Sequence, residues 1–260
     1  MPNFRRIATS AAVAGIFAGI SCIAAAQSVP APTVEPDALA GLNRMSAALK
    51  AMPDLAFDAD VTNEDVLSTG QKLQYAGTLS VDVHRPDGLK LIASSDEKLR
   101  EFYYDGKSLT IYSPRLKLYA TVPAPDTIGK TLAVAKGQYD IELPLADLFT
   151  WGADPALQAR IVSGYVIRPE TINGQSCMHY AFRQKNVDWQ IWIEEAAAAL
   201  PCKLVITDTS DASLPQYSAV LKWHKAAAIS AATFHFTPPS DAHEITIADA
   251  SKGAKKGGGQ

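Results

Sequence analysis

The alternation of apolar and polar positions divides the chain into a helical opening followed by a long series of strands. Leu39, Leu42, Met45, Ala48, Leu49 and Met52 recur at spacings of three and four, which predicts an amphipathic helix over 37–52, capped by Asp37 and stopped by Pro53. A lone amphipathic helix is not stable in water, so this face requires a surface to pack on. After Pro53 the period becomes two. Phe57, Ala59 and Val61 alternate with Asp58, Asp60 and Thr62. Leu73, Tyr75, Gly77, Leu79, Val81 and Val83 then alternate with polar neighbours, the pattern of a long half-buried strand. Shorter strands are predicted at 89–93, 101–104, 108–112 and 117–122. Pro86-Asp87-Gly88 and Asp105-Gly106 supply turn chemistry between them, so this half reads as an antiparallel meander.

Pro123 and Pro125 interrupt the meander and open a segment with helical spacing around Ile128, Leu132 and Ala135, followed by a short helix at 145–151. The strand pattern resumes at 159–168, 176–183, 188–194, 203–208, 217–224 and 233–236, with Asn173-Gly174 as a second strong hairpin turn. Helices set apart from an antiparallel sheet define an α+β fold. A sheet of about ten or eleven strands must curl, because strongly twisted open sheets rarely exceed that width. The expected architecture is a strongly curved, unclosed half-barrel whose concave face is covered by the helices at 37–52 and 125–151. No linker separates the two strand-rich halves, so 37–247 reads as one domain. Residues 27–36 read as a Pro-rich, disordered lead and 248–260, rich in Gly and Lys, as a disordered tail.

Residues 1–26 place the protein. Arg5 and Arg6 precede an apolar run from Ile7 to Ala26 that ends Ala24-Ala25-Ala26, the form of a Sec-type signal peptide cleaved after Ala26. An uncleaved anchor is the alternative, because the run approaches the ~20 residues that span a bilayer. Lipidation at Cys22 is another, although Gly19 stands where a lipoprotein signal usually has Leu. The expected location is the periplasm. Loss of the two leader arginines makes a chain of formal charge -3 more acidic still, which argues against nucleic acid or an anionic membrane surface as partner. With 47% hydrophobic and 20% charged residues, the chain has enough apolar material for a sizeable core.

The chain lacks the common catalytic signatures. There is no H-E-x-x-H and no G-x-S-x-G, and Gly106-Lys107-Ser108 is better explained by the Asp-Gly turn than by a phosphate loop. Asp188 and Glu194 share a strand face near His179, but six residues separate them by ~20 Å. Paired glycosidase carboxylates work at about 5–9.5 Å. Cys177 and His179 share a face as a metal pair could, yet two ligands do not make a zinc site. Neither metal nor cofactor is expected. Cys177 and Cys202 are the cysteines left after the leader, and an oxidising compartment favours pairing them. On strands one apart in a flat sheet they would stand ~9–10 Å from each other, beyond the ~7 Å that a disulfide spans, so only curvature or a bulge would allow the bond.

Aromatic and apolar residues at inward strand positions are the candidates for a ligand cavity: Tyr75, Leu79, Val81, Phe102, Tyr104, Tyr180, Phe182, Trp189, Ile191, Tyr217 and Leu221. They equally suit an ordinary core between sheet and helices. Trp192 falls on the opposite face from Trp189 and Ile191, so either both faces of that strand are covered or Trp192 marks a contact surface.

The stretches Cys177-Met178-His179-Tyr180-Ala181-Phe182-Arg183-Gln184 and Asp188-Trp189-Gln190-Ile191-Trp192-Ile193-Glu194 resemble a family of predicted periplasmic proteins of unknown function. Leu200-Pro201-Cys202-Lys203-Leu204-Val205-Ile206-Thr207, Pro215-Gln216-Tyr217 and Phe236-Thr237-Pro238-Pro239 continue the likeness. The order of elements is similar to that of the outer-membrane lipoprotein carrier (LolA/LolB-like) superfamily. That resemblance implies an unclosed barrel around an apolar cavity and, by analogy of fold alone, a non-enzymatic role in binding a lipid or lipoprotein acyl chain. The alternative on the same fold is a protein-binding envelope sensor or assembly factor, with Trp192 and the basic tail as its contact surface.

Overall fold

The computed structural model describes residues 33–141, 143, 145, 148, 158–224 and 229–248. The expected leader at 1–26, residues 27–32 of the lead, most of the helix at 145–151 and the tail after 248 lie outside the described residues. Helix α1 spans Pro36–Ala51 and starts on a proline, which needs no backbone N–H in the first turn. The first meander is β1 (Asp54–Val66), β2 (Lys72–His84), β3 (Gly88–Ser95), β4 (Leu99–Tyr104), β5 (Ser108–Ser113) and β6 (Leu118–Pro123). Helix α2 (Ile128–Tyr139) follows, its first turn capped by the Thr127 side chain, which accepts from the Lys130 N–H. The second meander is β7 (Ser163–Ile172), β8 (Gln175–Gln184), β9 (Val187–Glu194), β10 (Pro201–Asp208) and β11 (Gln216–His224). A helical turn α3 (Ala231–Phe234) and the two-residue β12 (His243–Glu244) complete the order.

Among the described residues the strands form a 12-stranded sheet in the order β12-β6-β5-β4-β3-β2-β1-β11-β10-β9-β8-β7. It is unclosed and curved, as expected of an α+β half-barrel, and its middle is the seam where β1 pairs with β2 on one side and β11 on the other. The sheet is antiparallel except at β12, which runs parallel to β6. The predicted strand at 233–236 is instead the helical turn α3 and the start of a loop. Thr233 accepts from the Ser230 N–H there, so the backbone is committed to a cap. The strand expected from 159 begins only at Ser163.

Residues 33–35, read from sequence as part of a structureless lead, are ordered along β7. Val34 bridges Gly164, and the Glu35 carboxylate accepts from the Val166 N–H at 2.8 Å. This covers backbone donors at the open edge of the sheet.

The inward positions of the strands make one core with the helices. Ala38, Leu42, Met45 and Leu49 of α1 and Ile128, Leu132 and Ala135 of α2 pack on Phe57, Val81, Leu91, Tyr104, Ile191 and their neighbours. The Tyr104 hydroxyl donates to the Pro125 carbonyl at 2.6 Å, tying the segment before α2 to the sheet. On the outer face, Phe236 sits among Tyr103, Tyr112 and Tyr119 with ring centroids 5.2–5.3 Å away, which seats the Phe236-Thr237-Pro238-Pro239 stretch. No helix among the described residues is long and apolar enough to cross a membrane.

Candidate functional site

Strand register places one row of side chains across the end of the concave face. Phe182 pairs with Trp189, Trp189 with Ile206, Ile206 with Tyr217, Tyr217 with Asn63, and Asn63 with Tyr75. Directly paired residues share a face, so these six form a continuous line over β8, β9, β10, β11, β1 and β2. Two cavities open along it. The first, of about 130 Å³, is lined by Met45 of α1, Leu148, Gln184, Val187, Trp189, Ile191, Leu204 and Ile206. All but Gln184 are apolar. The second, of about 310 Å³, is lined by Val61, Asn63, Tyr75, Gly77, Leu79 and Tyr217, with Asp65, Glu97, Lys98 and Arg100 among its polar residues. Ile206 and Tyr217 are a register pair, so the two cavities adjoin across a single strand spacing.

The residues expected in a cavity therefore divide. Trp189 and Ile191 line the apolar pocket, while Tyr75, Leu79 and Tyr217 line the neighbouring groove. Tyr75 is 43% exposed, so it belongs to the mouth and not to an enclosed interior. Val81, Phe102, Tyr104, Tyr180, Phe182 and Leu221 are packed into the core, where side chains from both helices and the facing strands meet them. Met45, Leu204, Ile206 and Asn63 were missed. Their signal was present in the register: Leu204 and Ile206 keep the alternation that Trp189 and Ile191 follow on the next strand.

Tyr217 is unusual in this row. Its hydroxyl is enclosed and has no hydrogen-bond partner. Burial pushes the phenol far above its ordinary range, so it remains a protonated donor. The apolar lip continues at the same end of the sheet, where Leu67 and Leu214, both exposed, follow β1 and precede β11.

The outer face of β8–β10 decides between alternatives that the sequence left open. Trp192 is only 5% exposed and is no free contact surface. His179 stacks on its ring at a centroid distance of 4.0 Å, Lys203 lies 4.6 Å from its centroid, and its indole N–H donates to Glu170 at 3.0 Å. Cys177 and Cys202 are disulfide-bonded, with Cα atoms 6.7 Å apart instead of the flat-sheet distance. The register of β10 on β9 shifts between Pro201 and Lys203, leaving Cys202 as the extra residue of a bulge that closes the gap. Trp192 and Val205 pack against the bond. Asp188 is engaged by Arg183 in a two-pronged ion pair at 2.6–2.7 Å, a surface contact across the β8–β9 hairpin. Among the described residues no group of three or more His, Cys, Asp or Glu is placed to hold a metal.

Comparison with one solved structure, that of LppX, agrees on the architecture. The Mycobacterium tuberculosis lipoprotein LppX is 13% identical, covers 75% of this chain and 100% of its own, and superposes with a TM-score of 0.50. An uncharacterized conserved protein from Thermus thermophilus is 10% identical, with 81% and 99% covered and a TM-score of 0.47. LprF from Mycobacterium bovis is 16% identical, with 82% and 100% covered and a TM-score of 0.44. At these identities the likeness to LppX concerns the fold alone. No curated protein sequence matches the chain. The family model for predicted periplasmic proteins, DUF2092, matches residues 38–248, nearly the whole of the described fold, and the resemblance read from the cysteine and tryptophan strands is thereby borne out. The chain belongs to this family of predicted periplasmic proteins.

Proposed function

We propose that this protein is a non-enzymatic periplasmic binder of a hydrophobic ligand, a lipid or lipoprotein acyl chain, taken up at the open end of the half-barrel. Export by the leader at 1–26 belongs to the same reading. The observation that carries it is the apolar pocket beneath α1, whose lining from Met45 to Ile206 offers no charge and one polar side chain. Transfer of a chain into such a site stabilises the complex by about 0.8 kcal/mol per CH₂.

Size sets the manner of binding. At about 130 Å³ the pocket is close to an engineered cavity of roughly 150 Å³ that holds benzene, and below the roughly 300–1,000 Å³ of drug-sized sites. It accepts the end of a chain. The remainder lies along the mouth row toward the groove at Tyr75, or enters by displacing Met45 and α1. The alternative role as a protein-binding sensor loses the exposed tryptophan it relied on, because Trp192 is covered.

The test is to purify the processed protein, extract it, and identify bound lipid by mass spectrometry alongside titration with a fluorescent fatty acid. Co-purified lipid or saturable binding is expected. Recovery of no lipid together with no binding overturns the proposal.

A further inference from the structure

The ligand's polar group has a place on the same row. Among the described residues, four side-chain atoms are enclosed without a hydrogen-bond partner: Ser46 Oγ, Arg85 Nε, His179 Nδ1 and the Tyr217 hydroxyl. Tyr217 lies in the mouth row, between Ile206 of the apolar pocket and Asn63 of the polar-rimmed groove. An enclosed hydroxyl left unpaired is destabilising, and native folds satisfy nearly all such groups with protein, water or ligand. Its only chemical capacity that the protein leaves unused is hydrogen bonding, and the surroundings on one side are apolar enough for a hydrocarbon tail.

We infer that Tyr217 is the polar anchor of the bound molecule: its hydroxyl, enclosed in the empty protein and uncovered as the ligand parts the side chains over it, donates a hydrogen bond to an acyl carbonyl or carboxylate oxygen whose hydrocarbon tail enters the pocket at Trp189 and Ile206. The inference rests on the hydrophobic-ligand reading and narrows it to acyl amphiphiles. The geometry orients the ligand. Adjacent strands are ~4.8 Å apart, so Trp189 lies about 10 Å from Tyr217 on the tail side and Tyr75 about 10 Å away on the head side. A head group that continues beyond that oxygen, as in an acyl ester, faces the groove whose lining includes Lys98 and Arg100 as well as Asp65 and Glu97. A free fatty acid and an acyl ester share the oxygen that Tyr217 recognises.

The experiment compares the wild-type protein with Tyr217→Phe for hexadecanoate, methyl hexadecanoate and hexadecane, each displacing a fluorescent fatty acid. Tyr217→Phe is expected to weaken hexadecanoate about tenfold or more and the ester about three- to tenfold, with hexadecane unchanged. A loss confined to the acid identifies a free carboxylate as the ligand group, and a loss for both identifies the acyl carbonyl. Equal wild-type and variant affinities for all three probes overturn the anchor while leaving the hydrophobic pocket in place. Failure of the wild-type protein to bind any probe overturns the pocket reading itself, and the anchor with it. Phe keeps the ring and removes only the unpaired hydroxyl, so the urea midpoint should stay the same or rise; a clear fall would show that the hydroxyl is already satisfied within the protein and overturn the inference.

Discussion

Gly41 of α1 rests on the ring of Tyr180, so closely that a Cβ built at position 41 would stand 2.5 Å from the Tyr180 hydroxyl oxygen. Tyr180 is buried under the helix, so its ring moves only if its neighbours move too. Gly41→Ala therefore sets two effects against each other. Alanine favours the helix by about 1 kcal/mol, whereas overpacking costs about 1–3 kcal/mol. The clash is expected to win, lowering the urea midpoint and lifting α1 from β8. A variant as stable as the wild type would show that α1 is not seated on this ring.

The size of the apolar pocket predicts the effect of filling it. Ile206 is partly buried at the pocket mouth and borders both cavities through its pairing with Tyr217. Ile206→Trp is expected to occupy the space and weaken fluorescent fatty acid binding at least about tenfold, while stability changes by less than about 2 kcal/mol. Titration of binding alongside urea unfolding checks both. Unchanged affinity would mean that the tail does not enter here.

Reduction of the disulfide should be costly. The bond between Cys177 and Cys202 closes a separation of 25 residues, for which the loss of loop entropy in the unfolded chain corresponds to roughly 3–4 kcal/mol. Both cysteines are buried, so reductant acts only on the opened protein. Urea unfolding of the Cys177→Ser/Cys202→Ser double variant is expected to show a loss of this order. A loss below about 1 kcal/mol would locate the stability of this edge in Trp192 and its stacked partners instead.

The turn between β4 and β5 predicts a pH dependence. Burial alone would raise the Asp105 carboxyl, but the N–H groups of Ser108 and Lys107 and the Ser108 hydroxyl donate to it and hold it below its usual value of 3.8. A carboxyl depressed in the folded state contributes stability above its unfolded value, and that contribution disappears as pH falls through the folded one. Asp105→Ala is expected to cost roughly 1–2 kcal/mol near pH 7, with the gap to wild type shrinking below about pH 4. A gap independent of pH from about 7 to about 2.5 would assign the loss to packing.

The periodic parts of this fold were legible because each face is decided locally. The inward set of β2, from Leu79 to Val83, is the set that its alternation indicates, and the Asp105-Gly106 and Asn173-Gly174 turns stand where their chemistry placed them. What depends on a distant partner was not legible. Cys202 reads as an ordinary strand residue until the bulge opposite Ile193 is seen. The sequence left open whether Trp192 is covered, because its cover, His179, Glu170 and Lys203, comes from three other strands. The site suffered in the same way: inward aromatics could be named, but only the register separates Trp189 and Tyr217 at the mouth from Phe102 and Tyr104 in the packed interior.

The seam at β1 has a consequence for the order in which the protein is made. A chain synthesised from its N-terminus can pair β1 with β2 at once, yet the other edge of β1 waits for β11, about 150 residues later in sequence. Such non-local pairing is slow, and an open strand edge invites a second copy. Asp58 and Asp60 on the outer face of β1 oppose that: two unfinished copies meeting there would bring carboxylates together. Their partners arrive with β11, where Lys222 lies 2.7 Å from Asp60 and His224 3.6 Å from Asp58. The acidic face thus disfavours pairing of the nascent strand with a second copy of itself, and Lys222 of β11 offsets the repulsion at Asp60 only when the correct neighbour docks.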